Sequence, residues 1–157
     1  MQNQILKGLT MLMLIAAVAL MAALVSAHAQ SSSVVADIPF EFAVGGKSLK
    51  AGEYTVKPFT TNGDAVLISN QDSNERVIRL TNTIRARNVP EQAKLVFHRY
   101  GQRYFLSEIW TTGEQTGRQL RKSNEERAIE SQLAAISSKS ELARSSYETV
   151  EIVAMVR

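Results

Sequence analysis

Two histidines and no cysteine occur in the 157 residues. His28 falls in an apolar N-terminal segment, so any imidazole chemistry of the folded chain rests on His98. A histidine can move a proton in catalysis when a carboxylate orients it. Glu108 is a candidate partner close by in sequence, with Arg99 or Arg103 available to stabilise charge. That combination describes a small hydrolase or lyase. The supporting patterns are missing, since no H-E-x-x-H, G-x-S-x-G, P-loop or G-x-G-x-x-G occurs. A zinc site needs several His or Cys ligands at short spacing, so no metal and no cofactor is expected. Asn70-x-Asp72-x-Asn74 is like the start of a calcium loop. It lacks the glycine such a loop needs, and Thr81 stands where its closing glutamate belongs. Asn, Asp and Ser in that run make an ordinary turn. Glu41, Glu53 and Glu108 are the carboxylates that a glycosidase pair would draw on.

A binding surface is the other chemistry on offer. Arg99, Tyr100, Arg103, Tyr104 and Trp110 crowd one hairpin. Aromatic faces stack on sugar rings and guanidinium groups hold acidic substituents, which suits an envelope polysaccharide or other acidic polymer. Aromatics also fill strand cores. Simple alternation puts Tyr104, Leu106 and Trp110 on one face and Phe105 and Ile109 on the other. By the same rule His98 shares a face with Val96 and Tyr100, opposite Leu95 and Phe97. Arg76, Arg79, Arg85, Arg87 and Lys94 make the middle of the chain locally basic, with Asp72, Glu75 and Glu91 at hand to pair with them.

The elements that must position these residues are mostly strands. Ile38, Phe40, Phe42 and Val44 alternate with polar or small residues, as a half-buried strand does. Pro39 lacks an N–H and belongs at an edge or near a strand start. Tyr54–Phe59 and Ala65–Ser69 flank Asn62-Gly63, which predicts a tight type I′ hairpin. The Asn70–Asn74 turn leads into a strand over Arg76–Thr81, followed by a long connection over Thr83–Gln92. Lys94–Tyr100 and Arg103–Thr112 form a further hairpin about Gly101-Gln102. Ser123 and Glu126 form a capping box, and Ile129, Leu133 and Ile136 share one helical face behind it. Arg121, Lys122, Glu125, Glu126 and Arg127 are mixed in sign, as on a solvated helix face. Val150, Ile152, Ala154 and Val156 then alternate in a closing strand. The expected fold is mainly β: a small antiparallel sandwich or partly closed barrel of six or seven strands. One helix near residues 124–137 packs over an open end, and the C-terminal strand inserts among the others.

Lys7, the apolar run Met11–Val25 and Ala27-His28-Ala29 follow the order of a secretory signal peptide cleaved near Ala29/Gln30. A retained anchor is the alternative, although the run is short for a membrane span. The expected organisation is therefore a signal peptide over 1–29, a flexible leader over 30–36 and one β-rich domain over 37–157. The destination is the periplasm or the medium, with no stable membrane insertion after cleavage. Lys7 is the only charged side chain removed, so cations against acids change from 18:15 to 17:15. A balance this even, in an exported chain, argues against nucleic acid as partner.

Two segments carry a resemblance. One is Asp37-Ile38-Pro39-Phe40-Glu41-Phe42-x-Val44-Gly45 followed by Leu49-x-Ala51-Gly52-Glu53-Tyr54-Thr55-Val56. The other is Lys94-Leu95-Val96-Phe97-His98-Arg99-Tyr100-Gly101, running on to Tyr104-Phe105-Leu106-Ser107-Glu108-Ile109-Trp110. Together they resemble a family of short exported bacterial proteins of unknown function, found mainly in soil bacteria. Lys50 stands where that family usually carries proline. The resemblance implies export and a β fold and brings no activity with it. The expected function is a non-enzymatic exported β domain with a binding or envelope structural role. The alternative is the small hydrolase or lyase using His98.

Overall fold

The computed structural model describes residues 33–137 and 147–157. The expected signal segment, and any run of the helix beyond Ser137, lie outside the described residues. Among the described residues, ten strands and one helix follow in chain order. They are β1 (Val34–Ile38), β2 (Phe42–Val44), β3 (Lys47–Leu49), β4 (Gly52–Pro58), β5 (Ala65–Asn70) and β6 (Arg76–Arg85). After these come β7 (Ala93–Tyr100), β8 (Arg103–Trp110), β9 (Thr116–Leu120), α1 (Asn124–Ser137) and β10 (Glu148–Val156).

Eight of the strands close on themselves. The ring runs β8-β7-β10-β1-β4-β5-β6-β9, and β9 returns to β8 through Glu108↔Gln119 and Ile109↔Arg118. Every neighbouring pair in the ring is antiparallel. A closed ring leaves no unpaired wall edge for another chain to add to. An eight-stranded barrel is just wide enough for side chains to fill. Here Ile38, Val56, Ile68, Leu95 and Phe97 supply much of that filling, each at most 2% exposed. Tyr54 is equally buried and donates its hydroxyl to the Lys50 carbonyl at 2.9 Å.

β2 and β3 form a hairpin outside the ring, and β2 runs parallel to β8 through Phe42↔Tyr104 and Ala43↔Phe105. Phe42, Val44 and Leu49 still belong to the central core. Phe42 meets Tyr54 and Phe97 edge-on at 5.0 and 5.4 Å. Arg79 fastens this hairpin. It shares a face with buried Val77 and Thr81 on β6, and its guanidinium donates to the carbonyls of Val44 and Gly45 at 3.1 Å. Gly45 has φ +56°, a left-handed conformation that favours glycine, and its bare backbone gives the Arg79 side chain room to lie against it.

Several boundaries differ from the sequence expectation, each for a local reason. The strand expected over Ile38–Val44 is two strands, because Pro39 has no N–H to continue the β1–β4 ladder beyond Ile38↔Gly52. Val34–Ala36, assigned to a flexible leader, is buried and paired with β4. The Asn62-Gly63 hairpin is a six-residue connection between Pro58 and Ala65. Only Gly63 has positive φ, whereas a type I′ turn needs it at Asn62 too. β6 runs on to Arg85, and β9 pairs with that extension, which shortens the expected long connection. The helix rests on the outer wall against β7, not over an open end: Glu126 reaches His98, on the face of β7 opposite core-facing Leu95 and Phe97. In β8, the register skips Ser107, with Phe97↔Leu106 followed by Val96↔Glu108. This bulge turns Ile109 into the core and Trp110 outward, reversing the alternation expected for that pair.

β10 lies between β7 and β1, bonded along Glu148–Ala154 to one and at Val156 and Met155 to the other. Ser33 and Arg157 exchange backbone hydrogen bonds of 2.9 and 2.8 Å beside it. A chain ending at Tyr147 should lose its cooperative urea unfolding transition and near-ultraviolet circular dichroism. A sharp transition at the full-length midpoint would show that the wall closes without β10.

Candidate functional site

His98 and its surroundings come first, because they decide whether catalysis has a place here. Ser123 caps α1, its Oγ accepting the Glu126 N–H at 3.0 Å. A capping box would return the Glu126 carboxylate to the cap. It turns instead to the barrel wall, where Oε1 lies 2.9 Å from His98 Nδ1. The Tyr100 hydroxyl donates to the same oxygen at 3.4 Å. The Tyr147 ring stacks on the imidazole at 3.9 Å, and the Lys122 ammonium sits 5.2 Å from the Tyr147 centroid. Lys122 also pairs with Glu130 at 2.7 Å. Burial foremost, then the charges of Glu126 and Glu130, push the Tyr100 phenol well above the ordinary tyrosine range. Tyr100 therefore stays a hydrogen-bond donor at neutral pH.

The carboxylate that meets His98 is thus Glu126, on the helix expected to carry a solvated mixed-charge face. Glu108, the sequence candidate, accepts the Trp110 indole N–H at 2.9 Å. The His98 and Glu126 side chains are 10% and 6% exposed. The arrangement orients an imidazole but leaves a substrate little access to it. Its evident work is to hold α1 on the wall. Chain spacing gave no hint of the pair, which joins residues 28 apart.

The binding candidates divide into two groups. Trp110 is 7% exposed and its ring covers Gly117 of β9, where a Cβ would overlap it. Tyr100 is buried under the helix. Neither presents a free face to a sugar ring. Arg99, Arg103 and Tyr104 remain accessible and lie together. Arg103 and Tyr104 line an open cleft of about 260 Å³ along the short β2–β8 seam, with Glu41, Ser48 and Gln102 across and beside them. Tyr104 stacks on Phe40 at 3.9 Å, and the Arg99 guanidinium lies 5.5 Å from the Tyr104 centroid. Arg99 is steadied by Glu148 at 3.2 Å and by the Gly101 carbonyl at 2.8 Å. Arg103 pairs with Glu125, and the Ser48 hydroxyl donates to Glu41. The cleft is therefore a rim of cations and hydrogen-bonding groups with the Tyr104 ring already packed on one neighbour.

The remaining candidates have structural partners. Asn70 Oδ1 accepts the N–H groups of Asp72 and Ser73, and Asn74 takes φ 53°, so this run makes a turn. Among the described residues no group of three or more His, Cys, Asp or Glu side chains gathers to hold a metal. Glu53 is exposed on β4. The central basic residues do not pair with Asp72, Glu75 or Glu91: Arg85 binds Gln115, Lys94 pairs with Glu151, and Arg79 holds carbonyls.

Glu126→Ala removes the acceptor for two buried donors. It should cost about 1–3 kcal/mol in urea unfolding. His98→Ala should cost similarly, and the double substitution clearly less than the sum. Additive losses would mean that the two side chains do not act as a pair.

No helix among the described residues is long and apolar enough to cross a membrane. No protein-family model, curated protein or solved structure matches the chain.

Proposed function

We propose that this protein is an exported, non-enzymatic β-barrel that binds an acidic polymer, such as an envelope polysaccharide, in the cleft between β2 and β8. One observation carries the reading. Arg103, Tyr104 and Gln102 open onto a shared cleft with Glu41 and Ser48, and Arg99 stands beside them. Guanidinium groups suit carboxylate or sulfate substituents, and the amide, hydroxyl and carboxylate groups suit sugar hydroxyls. The buried His98–Glu126 pair does not line this cleft, which weighs against the hydrolase or lyase. Export rests on the sequence order of Lys7, the Met11–Val25 run and Ala27-His28-Ala29. The resemblance to short exported bacterial proteins points the same way.

Two measurements test this reading. N-terminal sequencing of the protein from an exported fraction should begin at Gln30, whereas an intact Met1 in the membrane fraction would overturn cleavage. Calorimetric titration of residues 30–157 with polygalacturonate oligomers at low salt should give saturable binding. Arg103→Ala should weaken it about tenfold, the size of one charged hydrogen bond. Equal affinity in the variant would remove the β2–β8 cleft from the reading, and absence of binding would remove the acidic polymer.

A further inference from the structure

A second cleft, of about 590 Å³, opens between the β2–β3 turn at Gly45-Gly46 and the residues leading into α1. Arg79, Arg121, Lys122 and Glu125 line it. The charges in it do not cancel. Lys122 is matched by Glu130, and Glu125 by Arg103. Glu126 is turned toward His98. Arg79 donates only to the carbonyls of Val44, Gly45 and Ile78, dipoles that leave its positive charge uncompensated. Arg121 is exposed and meets no carboxylate among the described residues. Two guanidinium charges therefore face one concave space without a counter-charge. Arg121 can hold a planar or tetrahedral oxyanion through paired N–H donors, and Arg79, most of whose donors are taken by carbonyls, adds positive charge beside it. The absence of a side chain at Gly45 leaves room for the Arg79 guanidinium at the cleft wall.

We infer that this cleft is an oxyanion subsite that takes a carboxylate, sulfate or phosphate group between Arg79 and Arg121. It lies beside the β2–β8 cleft. Both flank the β2–β3 hairpin, and the Arg103–Glu125 pair joins the wall of one to the wall of the other. An acidic polymer lying along the hairpin brings acid groups to both clefts; that extension, unlike the subsite itself, rests on the function proposed above. A free inorganic oxyanion is the other source of the same chemistry.

The experiment follows backbone amide resonances of residues 30–157 during titration with inorganic phosphate and, separately, with polygalacturonate oligomers. Phosphate should move the Gly45, Gly46 and Asn124 resonances saturably. Arg121→Gln, at an exposed position, should weaken that binding about fivefold or more, while Arg99→Ala, whose partner Glu148 lies outside this cleft, leaves it in place. If the oligomers move the same resonances and both variants weaken them, the polymer supplies the anion. If phosphate alone does so, the subsite stands, its source is a free oxyanion, and the extension of the polymer into this cleft falls. Shifts confined to the β2–β8 cleft would overturn the subsite and leave the polymer reading standing. Saturable phosphate shifts unchanged by Arg121→Gln would also overturn it.

Discussion

Hydrogen bonding along both edges of β10 turns a curled sheet into a barrel. One edge meets β7 from Glu148 to Ala154, and the other meets β1 at Met155 and Val156. With no cysteine in the chain, no disulfide can hold these strands in its place. Everything else is arranged around the closed wall. The interior admits one layer of inward side chains, the hairpin β2–β3 adds Phe42, Val44 and Leu49 to it, and α1 lies outside. Wall closure also explains the divided edge of β8. Its first half pairs with β2 and its second with β9, and the Ser107 bulge falls where the partner changes.

Most strands were legible because one face of each is apolar. The period-two patterns around Phe97 and Ile152 keep the faces read for them, with Leu95 and Phe97 in the core and Val150, Ile152 and Ala154 packed on it, while Val156 is exposed. What was missed has physical causes. β9 is Thr-Gly-Arg-Gln-Leu, a run with a single aliphatic side chain, and it pairs with β6 and β8 because ring closure demands a strand there. Gly117 within it is the place where the Trp110 ring needs a bare backbone. The reversal of Ile109 and Trp110 follows from one extra residue, which alternation cannot register.

The site was half legible for the same kind of reason. The crowding of Arg99, Arg103 and Tyr104 on one hairpin is visible in the chain, and these residues do stay accessible together. Their opposite wall, Glu41 and Ser48, comes from a hairpin joined to them by only two residue pairs, which no local pattern announces. His98 stands out in the chain as the one imidazole beyond the N-terminal apolar segment. Its partner depends on where a helix lands on the wall, and Glu126 looked like any capping-box glutamate. A carboxylate three residues after a cap can face either its own helix terminus or a neighbouring sheet. A buried donor pair, His98 and Tyr100, decides the matter here.

The adjacency of β1 and β10 has a kinetic meaning. Val34 and Val156 are register partners although nearly the whole domain separates them in sequence. Contacts of that span raise the contact order, and chains that depend on them fold slowly because a long loop must close before any reward arrives. During synthesis, β1 appears first among the wall strands and its last neighbour appears after all the others. Until then β1 and β7 each keep a bare ladder of N–H and C=O groups, the condition in which strands recruit foreign partners. Folding of this barrel is thus a late event in the life of the chain, and the nascent polypeptide is open and threadable for most of its synthesis.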